Sequence, residues 1–97
     1  LARYEQTVLQ ALEDTQSGFA VFARAREELD LRRASVTQSR DAAGIARLRY
    51  EEGADDFLSV LDAERRLLDA ESQALDARRR LSQSVISVYR ALGAGWR

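Results

Sequence analysis

Among its 97 residues the chain has no Cys, no His, no Pro, no Met and no Lys, five Gly, and 7% aromatic residues. Each absence excludes something. Without Cys there is no disulfide framework, no thiolate metal site and no Cys nucleophile. Without His there is no imidazole base and no His-liganded metal. Without Pro, and with few Gly, little can interrupt a helix. No run approaches the roughly 20 apolar residues that a membrane-spanning helix needs. The 15 cations are all Arg and face 16 acids, for a net charge of −1. A nucleic-acid-binding surface would be strongly basic, so no nucleic-acid partner is expected. No paired carboxylates stand beside a nucleophile in an apolar setting, so neither enzyme activity nor a cofactor is expected. A chain that opens on Leu1 and contains no Met is expected to be a piece of a longer protein.

What is present is helix-forming. Ala, Leu, Arg and Glu make up more than half of the residues, the composition of long helices and coiled coils. The strongest break is Glu51-Glu52-Gly53-Ala54-Asp55-Asp56. Gly53 can take the left-handed conformation that closes a helix, and Asp55 or Asp56 can cap the next one. Gly93-Ala94-Gly95 marks a second stop. The spacing predicts helices over 3–51 and 56–92, a tip turn at 52–55 and a short tail. The fold is expected to be all-α, one long antiparallel helical hairpin.

Heptad rows support two helices. In the second, Val60, Leu67, Ala74, Leu81 and Val88 recur every seven residues, as do Leu61, Leu68, Leu75, Ser82 and Tyr89. A small row, Ala63, Ala70, Ala77, Ser84 and Ala91, lies beside them, and Asp62, Asp69 and Asp76 form a polar row. The three apolar or small rows span roughly 160° of the surface, wider than a two-stranded seam. In the first helix Val8, Thr15, Phe22, Leu29, Val36, Ala43 and Tyr50 form one row. Leu12 and Phe19 open a companion row that continues as Arg26, Arg33, Arg40 and Arg47. Those arginines are read as lying along the helix surface and pairing with acids. A strict seven-residue repeat implies a left-handed supercoil. The wide apolar face implies self-association or a larger helical assembly.

Three separated segments resemble one family. Tyr4 to Asp14 is similar to the opening of the penultimate long helix of TolC-type outer-membrane efflux proteins. Ala46 to Arg65, containing Tyr50-Glu51-Glu52-Gly53-Ala54-Asp55-Asp56-Phe57, resembles that family's periplasmic tip. Val88 to Trp96 resembles the C-terminal ending of its OprM/NodT-like branch. The resemblance implies the last helical hairpin of a homotrimeric duct, part of a trimeric periplasmic α-barrel beneath an outer-membrane β-barrel. It implies a periplasmic adaptor and an inner-membrane transporter of RND type as partners, and drugs or other amphiphilic small molecules as substrates. The hairpin would be the periplasmic segment of an outer-membrane protein of a Gram-negative bacterium.

The same resemblance assigns roles to residues. Arg49, Tyr50, Gly53, Asp55 and Asp56 would form the gate and adaptor-contact tip, and Ser59 and Asp62 the lumen constriction. Taken as residues alone, Tyr50 ends an apolar row, Arg49 is a solvated cation beside Glu51 and Glu52, and Asp62 opens a solvated acidic row. Asp55 stands where TolC carries a tip arginine, which points to the OprM-like branch. In a trimer, Asp62 would supply a ring of three carboxylates that attracts cations. The setting of Trp96, with one residue after it, stays open. The competing expectation is a helical interaction module, a coiled-coil hairpin that oligomerises or binds partner helices.

Overall fold

The computed structural model describes residues 2–95; Trp96 lies outside them. Two helices are present, α1 (Ala2–Glu51) and α2 (Phe57–Gly95). They lie antiparallel as a rod of 78 × 14 × 13 Å. No helix among the described residues is long and apolar enough to cross a membrane. The helical stretch does not stop at 92 as expected: α2 runs through Gly93 to Gly95. Two glycines only lower helix propensity by about 1 kcal/mol each, and nothing in the backbone forces an end there.

The turn is built from glycine chemistry. Gly53 has φ +76°, the only positive φ among the described residues. The Ala54 N–H donates to the Arg49 carbonyl at 2.8 Å and the Gly53 N–H to the Tyr50 carbonyl at 3.0 Å. The pair of bonds is the Schellman closure, which satisfies carbonyls that the helix end leaves orphaned. A Cβ at position 53 would meet nothing within 4 Å, so a substitution there is strained by conformation and not by space. Gly53→Ala should cost about 1 kcal/mol, measured as a lower urea midpoint. Unchanged stability would mean that the turn adopts another form.

Between the helices runs one narrow seam. Its buried residues are Leu29, Ala43, Val60, Ala70, Ala77, Ser84 and Val88. The Ser84 hydroxyl donates to the Leu81 carbonyl at 2.7 Å, so no buried polar group is left unpaired among the described residues. Of the three apolar or small rows of α2, two are at this contact, the Val60 row and the small Ala63 row. On α1 the Thr15–Tyr50 row is joined by Ala11, Gly18, Ala25, Arg32, Ser39 and Ala46, all half-buried. The expected companion row is instead on the flank, where Leu12 and Phe19 are half exposed. Close approach explains the exchange. A Cβ on Gly18 would stand 3.1 Å from Cγ2 of Val88. Carried along the antiparallel pair, that register sets large against small: Leu29 opposite Ala77, Val36 opposite Ala70, Ala25 opposite Leu81, Ala46 opposite Val60. Large residues on both sides would hold the helices apart.

The row Leu61, Leu68, Leu75 and Tyr89 is not covered by α1 and is at least 49% exposed throughout. So the hairpin carries a second apolar surface beyond its own seam. Polar clips flank the seam. Arg32 donates to Gln73 at 2.6 Å across one face. Arg47 pairs with Glu64, and Arg40 with Glu71 at 3.5 Å, across the other. These pairs are solvated, and each contributes no more than about 1 kcal/mol.

Candidate functional site at the hairpin tip

Residues 49–62 form the end of the rod. Asp56 precedes α2 and caps it: its Oδ1 accepts the Ser59 N–H at 3.1 Å. The bond satisfies one of the free amides of the first turn, and the carboxylate complements the helix dipole. Asp55 Oδ1 accepts the Asp56 N–H at 2.9 Å. The Ser59 hydroxyl lies between the two acids, 2.9 Å from Asp55 Oδ1 and 3.2 Å from Asp56 Oδ1. Of the two expected caps, Asp56 is the one that accepts an α2 amide, while Asp55 holds the Asp56 N–H and the Ser59 hydroxyl. Ser59 belongs to this network, a link that the Asp-x-x-Ser spacing permits but does not fix. Its hydroxyl is engaged in the turn and makes no hydrogen bond to Asp62, three residues on.

These contacts hold the Asp55 carboxyl below its ordinary value of 3.8. The largest cause is the bond from Ser59, followed by the Asp56 N–H, with the Arg49 charge adding to both. A carboxylate depressed on folding adds stability above its unfolded value and loses it as pH falls through the folded one. The same sign holds for Asp76, depressed chiefly by its bond from Arg80. Acid should therefore loosen the tip only below the usual carboxylate range. Ser59→Ala should bring the Asp55 titration up towards 3.8, read from its carboxyl carbon shift. A titration that does not move would remove Ser59 from the network.

Tyr50 and Phe57 meet across the turn, ring centroids 5.4 Å apart and tilted by 57°. The arrangement is a favourable aromatic geometry and joins the last turn of α1 to the first of α2. Both rings remain about half exposed. The Tyr50 hydroxyl and the Arg49 guanidinium make no hydrogen bond or ion pair among the described residues. Asp62 is exposed and pairs with Arg66 at 3.2 Å, one turn further along α2. The structure thus brings Arg49, Tyr50, Gly53, Asp55, Asp56 and Ser59 together in one turn, with Asp62 on the outer surface above it. Phe57 was not among the expected tip residues; its place one residue after the Asp-Asp cap is the signal for it.

Comparison with known proteins places this geometry. The chain is 34% identical over 96 residues to the probable efflux pump outer membrane protein SepC of Pseudomonas putida. It is 34% identical to the toluene efflux pump outer membrane protein TtgF of Pseudomonas putida, and 32% identical to the outer membrane protein OprJ of Pseudomonas aeruginosa. Each match covers 99% of this chain and 20% of the relative, so the chain spans about a fifth of their length. It also superposes on the solved outer-membrane channel OprN, with a TM-score of 0.77 and 44% identity, over 99% of this chain and 22% of that one. A family model described as outer membrane efflux protein matches residues 1–94. The chain is a helical hairpin of the outer membrane efflux protein family, a family of transport proteins and not of enzymes.

Proposed function

We propose that the chain is the C-terminal periplasmic hairpin of an efflux duct of the OprM/NodT-like branch. Three copies of the longer protein would line one channel, and the hairpin tips would close its periplasmic entrance. An adaptor would dock at Gly53, Asp55 and Asp56, and an inner-membrane transporter of RND type would feed the duct. Toluene and antibiotics in the names of relatives support small apolar or amphiphilic compounds as its cargo. The observation that carries the gate reading is the pair Arg49 and Tyr50. Both stand at the end of the rod, and neither side chain has a polar partner within the described chain. Polar tip groups without intrachain partners are available to neighbouring subunits. Wide apolar rows on α2, wet in a lone hairpin, suit a barrel in which each helix has a neighbour on both flanks.

Single-channel recording of the full-length protein tests the reading. Tyr50→Phe should raise conductance, because a closing contact is lost. Asp62→Asn should reduce cation preference, because three carboxylates leave the entrance. Both variants should fold, since both side chains are exposed. Unaltered conductance and selectivity in the two variants would remove the gate from this tip.

A further inference from the structure

Two lines of residues run along the outer edges of the rod, away from the seam. On α1 every seventh residue reads Ala20, Glu27, Ala34, Asp41, Leu48. On α2 it reads Leu58, Arg65, Ser72, Arg79, Ile86. The heptad places both lines opposite the seam rows, and every residue in them is exposed. The α1 edge is acidic at every second step and the α2 edge is basic at every second step. Among the described residues Glu27, Asp41, Arg65 and Arg79 make no ion pair, whereas Arg32, Arg40, Arg47, Arg66 and Arg80, nearer the seam, each hold an acid.

The two edges complement each other. Within one hairpin they cannot meet, because the seam lies between them. Between two hairpins they can. With the tips level, α2 of one copy lies antiparallel to α1 of the next, and the facing register is that of the internal seam. Asp41 then stands opposite Arg65 and Glu27 opposite Arg79. Leu48 falls opposite Leu58, Ala34 opposite Ser72 and Ala20 opposite Ile86. Beside the α2 edge runs the exposed Leu61 row. In this register Leu61 falls beside Gly44 and Leu68 beside Thr37, large against small as in the seam. Within the hairpin a Cβ on Gly44 would meet nothing within 4 Å, so that space is open to a neighbour. A slip of one heptad either way, about 10 Å, sets each of the four charges against an Ala, Ser, Leu or Ile. Solvated ion pairs contribute little affinity. Their part is to fix the register, while the apolar residues between them supply the attraction.

We infer that α1 of one hairpin packs against α2 of a second copy, tips level, through the Asp41–Arg65 and Glu27–Arg79 rungs. The contact is head-to-tail. It uses a different edge of each copy and leaves one edge of each free, so further copies add in the same way. It needs neither a gate nor a channel and so stands apart from the duct reading. Sedimentation equilibrium of the chain tests it, with paired charge reversals. The chain itself should associate beyond a dimer as its concentration rises. Glu27→Arg with Asp41→Arg makes both edges basic, and Arg65→Glu with Arg79→Glu makes both acidic. Each double variant alone should associate at least about tenfold more weakly. Helix content should hold, since all four side chains are exposed. An equimolar mixture of the two should regain the association to within about threefold. Because the chain has no Cys, single cysteines read the register. Copies carrying Ala20→Cys should form disulfides with copies carrying Ile86→Cys and not with copies carrying Leu58→Cys. A monomeric chain would overturn the second copy as the partner. Association that stops at a dimer would replace the head-to-tail contact with a symmetric one. Reversals without effect, a mixture that stays apart, or disulfides from position 20 to position 58, the mark of opposed tips, would each overturn the charged rungs.

Discussion

Leu29→Ala should destabilise the hairpin by about 3 kcal/mol, read as a lower urea midpoint by circular dichroism at fixed protein concentration. Leu29 is 4% exposed, the most fully covered large side chain among the described residues. Its removal loses the transfer free energy of the side chain and leaves a gap between two long helices. The gap cannot be refilled locally, because the residue opposite is Ala77, itself 1% exposed. A change below about 1 kcal/mol would mean that the helices close the gap by moving together. Such a movement would then compress the Gly18–Val88 approach, already tight at 3.1 Å for a Cβ.

Ala77→Leu should cost about 2 kcal/mol by the opposite route. There is no room for a second leucine across from Leu29, so the axes must spread, and spreading weakens every rung on either side. The informative experiment is the double exchange. Leu29→Ala with Ala77→Leu keeps the volume of the layer and moves it from one helix to the other. Its cost should fall well short of the sum of the single costs, a coupling of at least about 1 kcal/mol. Additive costs would refute the large-against-small register, whereas strong coupling would fix it without any structure of the variants.

Much of the architecture was legible from spacing. The heptads of α2 contain its seam within a wider apolar face, of which the Leu61 row stays exposed, and Gly53 followed by two Asp identifies the turn. The companion row of α1 was not legible in the same way. Leu12 and Phe19 drew it towards the flank because they are large, while the residues that reach the seam are Ala11, Gly18, Ala25 and Ala46. Hydrophobic periodicity weighs side chains by size, but at a close helix contact the small residue is the one that is buried. The complementary row on α2 held the clue: a partner offering Val60, Leu81 and Val88 needs small residues facing it. Arg32 belongs to the row for another reason, since its guanidinium reaches Gln73 at the rim. At the tip, an Asp cap was legible, while the linkage of Asp55 and Asp56 through Ser59 was not. Hydrogen bonds between neighbours in a turn depend on rotamers, which spacing alone does not carry.

The short turn between Glu51 and Phe57 also sets an order of assembly. Each pair of facing residues closes a loop whose length grows with distance from Gly53, and the entropic cost of closure grows with it. Rungs near the turn, such as Arg47 with Glu64, therefore form first, and those near Gly18 and Val88 form last. The rod behaves as a zipper stopped at one end. Under a pull on its two open ends it would unzip heptad by heptad, and the turn would be the last element to give way.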